Sequence, residues 1–240
     1  DGIRDSSVTG VQTCALPIFI PTVFCENRNM DVIREVLHNE LGYAVTEKYK
    51  SYTRSLVEAY NANHSFEGID LQLTPSSKKN RVFENIDGIK FLNHEGGCGG
   101  IRQDAAVLSK LLAAYANHPN VGGITVLSLG CQNLQVSDFE KDLKELNPDF
   151  DKPLYIFEQQ KSQSEEELIS SAIKKTFSGL IEINKLKREP APLSKLTVGV
   201  KCGGSDGFSG ISANPSVGYC SDLRSEEHTS ELQSHLNLVC

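Results

Sequence analysis

Along this chain a short apolar run repeatedly gives way to a cysteine-bearing turn and then to a helical pattern. The runs at 19–24, 89–92 and 121–129 end at Cys25-Glu26-Asn27-Arg28-Asn29, at Asn93-His94-Glu95-Gly96-Gly97-Cys98-Gly99-Gly100 and at Gly130-Cys131-Gln132-Asn133. A run at 196–200 ends at Lys201-Cys202-Gly203-Gly204-Ser205-Asp206-Gly207, and one at 153–157 ends at Glu158-Gln159-Gln160. Apolar residues at helical spacing predict helices over 30–41, 104–116, 137–146 and 164–184, with another at 49–60. Ser137 with Glu140, and Ser164 with Glu167, have the spacing of capping boxes. Strands alternating with helices form a parallel sheet with right-handed crossovers. The run at 121–129 suits a strand covered on both faces. The expected class is therefore α/β, a Rossmann-like parallel-sheet domain over 19–188. Glu189-Pro190-Ala191-Pro192 reads as a break, with 189–223 the start of a second α/β region in which a helix begins near Asn214-Pro215.

Both ends read differently from the middle. Residues 8–18 and 224–234 look like translated sequencing-adapter read-through, so 1–18 and 224–240 are set aside as non-native. The expectation is then a fragment whose parent continues on each side. Setting the ends aside moves the net charge from -7 to -4, by removing Asp1, Arg4, Asp5, Arg224, Glu226, Glu227 and Glu231. A mildly acidic chain gives no footprint for nucleic acid or an anionic membrane. No apolar run approaches the roughly 20 residues that span a bilayer. Of seven cysteines, Cys14 and Cys240 fall in the ends, leaving Cys25, Cys98, Cys131, Cys202 and Cys220. An odd number of thiols beside glycine fits a reduced, cytoplasmic protein.

In a parallel sheet the segments that follow each strand gather on one edge, where such folds bind ligands. Cys25, Cys98, Cys131 and Cys202, with His94, Glu95, Lys201 and Asp206, are thereby brought toward one crevice. A lone free cysteine is often a small buried hydrophobe; four at strand ends favour a site. Thiolates and imidazole suit iron or zinc. A metal with an open position acts as a Lewis acid toward a departing hydroxide. No CxxC pair supports a zinc ribbon. Neither GxxxxGK[ST] nor a complete GxGxxG supports nucleotide binding. His38, His64 and His118 read as surface or helix-end residues, and Cys220 as packing.

The segments Phe24-Cys25-Glu26-Asn27-Arg28-Asn29, His94 to Ala105, Leu129-Gly130-Cys131-Gln132-Asn133 and Lys201 to Gly210 together resemble the altronate/galactarate dehydratase family of sugar-acid dehydratases. The first and third look closer to the altronate branch. The resemblance covers about 19–223. It implies removal of water from a hexonate such as D-altronate, giving a 2-keto-3-deoxy acid in hexuronate breakdown. It also implies Fe(II) or Mn(II), with Cys25, Cys98, Cys131 and Cys202 as candidate ligands. Three or four converging cysteines leave an iron–sulfur cluster open as well.

Elimination across C2–C3 needs a base for the C2 proton and help for the leaving C3 hydroxyl. His94 or Lys201 is the expected base, with Asp206 also assigned to the catalytic group. Arg28 or Arg102 would clamp the substrate carboxylate. Ser205, Asp206, Gln132 and Asn133 would hydrogen-bond the polyol. The alternatives are a galactarate dehydratase, a related lyase acting on a sulfonated hydroxy acid such as sulfolactate, or an inactive sugar-acid-binding fragment. The expected partners are a small sugar acid and further copies of the chain.

Overall fold

The computed structural model describes residues 7–8, 16–44, 47–71, 81–187, 191–192 and 207–227. Residues 12–187 form one compact unit, and 1–11 with 188–240 form another.

The larger unit is a parallel α/β domain. Its strands are β2 (Leu16–Pro21), β3 (Lys90–Phe91), β4 (Val121–Ser128) and β5 (Leu154–Glu158). They lie in the order β3-β2-β4-β5, and every pairing is parallel. The helices are α1 (Asn27–Glu40), α2 (Glu47–Asn61), α3 (Arg102–Asn117), α4 (Val136–Leu146) and α5 (Glu165–Ile183). The alternating direction of strand side chains divides the core in two. Phe19 and Leu127 point into one cluster with Met30, Ile33 and Leu37 of α1 and Ala172 and Leu180 of α5. Ile18, Ile20, Ile124 and Val126 point into the other, with Leu112 of α3 and Phe139 and Leu143 of α4. Helices thus cover both faces, as the uninterrupted apolar run of β4 requires. Burying a side chain such as Phe19 or Phe139, each wholly enclosed, contributes about 1.5–3 kcal/mol.

The first strand of this sheet begins at Leu16, three residues before the expected 19, and ends at Pro21. Leu16, Pro17 and Ile18 pair with Val121, Gly123 and Ile124, so part of the segment set aside as adapter-like lies in the central strand. A proline is awkward in a central strand because it lacks the N–H. Here the register shifts between Leu16 and Pro17, and β3 pairs only with Ile18 and Phe19. The expected residues 22–24 instead leave the sheet, and Phe24–Glu26 form a 3-10 turn into α1.

Helix α1 stops at Gly42, whose φ of 83° lies in the left-handed region and lets Tyr43 N–H reach His38 C=O at 2.9 Å. The Ser164–Glu167 cap is present, with Ser164 Oγ accepting from Glu167 N–H at 3.2 Å. Its carboxylate, however, accepts from Gln163 N–H at 2.6 Å rather than from Ser164. The Ser137–Glu140 cap is absent: the extended residue before α4 is Gln135, which places Ser137 inside the first turn. His38 lies in the last turn of α1, a helix-end residue as expected, and is half-buried, with Nε2 donating to Ile89 C=O at 3.1 Å and its ring against Phe91.

In the smaller unit, β1 (Ser7–Val8) pairs antiparallel with β6 (Ala191–Pro192). Helix α6 (Ala213–Glu227) starts where Asn214-Pro215 predicted. The expected strand at 196–200 lies outside the described residues. Cys220 is exposed, not packed. No described helix is long and apolar enough to cross a membrane.

Candidate functional site

From β2 at the centre of the sheet the chain passes to β3 on one side and then to β4 on the other. This change of direction sets the expected crevice beyond the carboxyl end of β2, the place where open α/β sheets take ligands. Three segments meet there: the 3-10 turn and start of α1, the loop 92–101 after β3, and the loop 129–135 after β4.

Backbone contacts knit the three together. Phe24 N–H donates to Gly96 C=O at 3.0 Å, and Leu134 N–H donates to Gly97 C=O at 3.2 Å. Gly97 lies between them with a φ of 97°, and a Cβ there would come within 2.1 Å of Thr22 O. The approach is backbone against backbone, which only glycine permits. Gly100, with a φ of 89°, is pressed against Asp104, whose carboxylate accepts from Ile101 N–H at 3.2 Å and opens α3.

Cys25, Cys98 and Cys131 are free and exposed, one on each segment. Arg28 and Arg102 are exposed in the first turns of α1 and α3. Asn133 is exposed and ties two loops through Nδ2 to Cys98 C=O at 2.8 Å. Asn27 does the same through Nδ2 to His94 C=O at 2.8 Å.

Two expected site residues are turned inward. Gln132 is buried. Its Oε1 accepts from Gly130 N–H at 2.6 Å, and its Nε2 donates to Thr22 Oγ1 at 3.1 Å and Ser128 Oγ at 2.6 Å. Its amide is therefore fully engaged by the protein and offers nothing to a polyol. His94 is half-buried, with Nε2 2.7 Å from Pro21 C=O and Nδ1 accepting from Gly96 N–H at 3.1 Å. Both ring nitrogens have backbone partners, which leaves neither one open to a substrate proton in this arrangement.

The sequence alone assigns no role to Glu26 and Asn29. Glu26 is wholly buried and accepts from Asn29 Nδ2 at 2.9 Å. Burial raises its pKa, the Asn29 hydrogen bond opposes this, and the Glu165 charge adds to it. Its Oε1 and the Oδ1 of Asn27 are buried without a hydrogen-bond partner. Their sequence signal is their place in the Phe24–Asn29 segment, as polar residues directly behind an apolar strand.

Lys201, Cys202, Ser205 and Asp206 lie outside the described residues. Among the described residues no three of His, Cys, Asp and Glu converge closely enough to hold a metal ion. The three described thiols are therefore not a complete metal centre on their own.

Residues 16–184 match the family model for the second domain of D-galactarate dehydratase/altronate hydrolase. The chain belongs to this family. Residues 193–235 match the C-terminal model for D-galactarate/altronate dehydratase, reaching into the segment 224–240 that reads as adapter-like. An altronate dehydratase of Bacillus subtilis is 38% identical over 137 residues, which are 57% of this chain and 26% of that protein. One from Escherichia coli is 34% identical over 145 residues, 60% of this chain and 28% of that protein. A galactarate dehydratase (L-threo-forming) of Escherichia coli is 35% identical over 109 residues, 44% of this chain and 21% of that protein. The chain thus spans about a quarter of the length of the two altronate dehydratases. No solved structure gives a significant match.

Proposed function

We propose that this chain is the second-domain part of a sugar-acid hydro-lyase. It would remove water from D-altronate to give a 2-keto-3-deoxy acid in cytoplasmic hexuronate breakdown. The observation that carries the proposal is the second-domain match over 16–184, which spans the whole crevice with its three thiol-bearing segments.

In the reaction the C2 proton passes to a base, the C3–O bond breaks, and hydroxide leaves as water. The resulting enol becomes the 2-keto-3-deoxy acid. With both nitrogens of His94 engaged, the base is Lys201, and Asp206 assists at the same site. Arg28 and Arg102 bind the substrate carboxylate. Each stands in the first turn of a helix, where the positive end of the helix dipole disfavours a cation but reinforces attraction for an anion. Asn133 and Ser205 hydrogen-bond the hydroxyls. Fe(II), Mn(II) or an iron–sulfur cluster would complete the site. Its ligand set needs Cys202 in addition to Cys25, Cys98 and Cys131. A homo-oligomer is part of the same reading.

The test is anaerobic purification in the full-length context, metal analysis, and a 2-keto acid assay on altronate, galactarate and sulfolactate. The proposal expects bound metal and product from altronate. Product from galactarate or sulfolactate alone would transfer the substrate to that acid, and no product from any of the three would refute a hydro-lyase.

A further inference from the structure

The candidate crevice holds one histidine whose hydrogen bonds fix where its proton sits. A carbonyl oxygen can only accept, so the 2.7 Å contact from His94 to Pro21 C=O requires a proton on Nε2. A backbone N–H can only donate, so the 3.1 Å contact from Gly96 requires a bare Nδ1. The two partners agree on a single tautomer. They also link the loop after β3 to the last residue of β2, across 73 positions of sequence.

The loop so held is the one that carries Cys98. Its Gly96 carbonyl receives Phe24 N–H from the Cys25 turn, and its Gly97 carbonyl receives Leu134 N–H from the Cys131 loop. Asn27 grips the carbonyl of His94 itself. An imidazole that released Pro21 or Gly96 would loosen one loop and, through it, the seating of the other two. Moving a substrate proton would require that release, because neither nitrogen is otherwise available.

We propose that His94 is a positioning residue, held as the Nε2–H tautomer, that seats the Cys98 loop against the end of β2 and thereby sets the three thiol-bearing segments. The proposal rests on the site reading given above but not on the reaction assigned to it.

Nitrogen NMR of the imidazoles in the 240-residue chain, with amide hydrogen exchange, tests it directly. The wild-type spectrum should show His94 protonated at Nε2 and bare at Nδ1. An Nδ1–H form, or averaging between the two, overturns the proposal without any variant. His94→Ala should speed amide exchange at Gly96, Phe24 and Leu134 by about tenfold or more, the size expected for losing hydrogen bonds of this kind. The amide of Val126 in β4 should be unaffected, which separates loosening from unfolding. His94→Asn keeps an acceptor for Gly96 N–H and should restore protection at Gly96. His94→Gln keeps a donor for Pro21 C=O and should restore it at Phe24. Wild-type exchange at Phe24 and Leu134 in the alanine variant overturns the proposal. Because neither measurement involves substrate or metal, failure of the dehydration assay leaves this result standing, and the reverse also holds.

Discussion

Replacing Gly97 by alanine tests the backbone contact that holds the crevice together. The residue has a φ of 97°, and its added Cβ would lie 2.1 Å from Thr22 O, 2.8 Å from Val23 Cα and 3.0 Å from Thr22 C. All three neighbours are main-chain atoms at the end of the central strand, so none can rotate away. The loop must retreat instead, and in doing so it releases Phe24 N–H from Gly96 C=O and Leu134 N–H from Gly97 C=O. Backbone strain at such a residue costs about 1–3 kcal/mol. Two hydrogen bonds add about 1 kcal/mol each, for a total of about 4 kcal/mol. That is a large share of the roughly 5–15 kcal/mol that holds a domain folded. The melting midpoint should fall by roughly 10 °C. Gly99 is the control, since nothing lies within 4 Å of its Cβ position and its φ is not in the left-handed region. Gly99→Ala should change stability by less than about 0.5 kcal/mol. Urea unfolding of the two variants decides the matter. Equal midpoints would refute the argument that Gly97 is fixed by close backbone approach.

On α3, Leu112→Ala should cost about 2–5 kcal/mol, because Leu112 is buried in the core. Val107→Ala, at an exposed position of the same helix, should cost less than about 0.5 kcal/mol, and urea midpoints in the reverse order would exclude this helix register. Burial lowers the pKa of His38, with the hydrogen bond to Ile89 opposing and the Arg34 and Lys90 charges assisting. Below the unfolded value of about 6.5 the unfolded chain therefore takes up the proton first, and stability is lost as pH falls through this window. His38→Gln should flatten that acid limb in urea titrations run at about pH 7.5 and about pH 5.5, and an unchanged limb would assign it to another group. Cys25, Cys98, Cys131 and Cys220 are all exposed thiols, so an alkylating agent should label all four in the native chain. Anaerobic Fe(II) should protect the first three and spare Cys220 no labelling, and equal labelling of all four in its presence would count against the proposed ligand set.

The features legible in the sequence were those encoded by local period and local chemistry. The apolar run 121–129 predicted a strand covered on both faces, and β4 has core clusters on each side. Ser164 was read correctly as the cap of α5. Ser137-x-x-Glu140 has the same spacing but fails, because the extended residue that starts α4 is Gln135 and its side chain bonds Gln132 C=O instead of capping. At the other end of the sheet, reading residues 8–18 as adapter-like hid the start of β2, which begins at Leu16 and runs through Pro17. A proline argues against a central strand until the irregular register beside it and the shortness of β3 are known.

The site shows where local reading ends. Convergence of the cysteine-bearing turns followed from the direction of a parallel sheet, and three of them do meet at the switch point. What each polar side chain does there depends on partners far away in sequence. His94 is fixed by Pro21, 73 positions earlier, and Gln132 by Thr22, 110 positions earlier. Nothing in a His-Glu-Gly-Gly-Cys string distinguishes an imidazole aimed at a substrate from one holding the loop that carries the thiol. The distinction lies in which backbone groups the fold leaves needing partners. Both Pro21 C=O and Gly96 N–H would be left without these bonds if the ring turned away, and burying such groups unpaired is costly. That cost is why His94 and Gln132 belong to the scaffold of the crevice, while Cys25, Cys98, Cys131 and Asn133 are exposed around it.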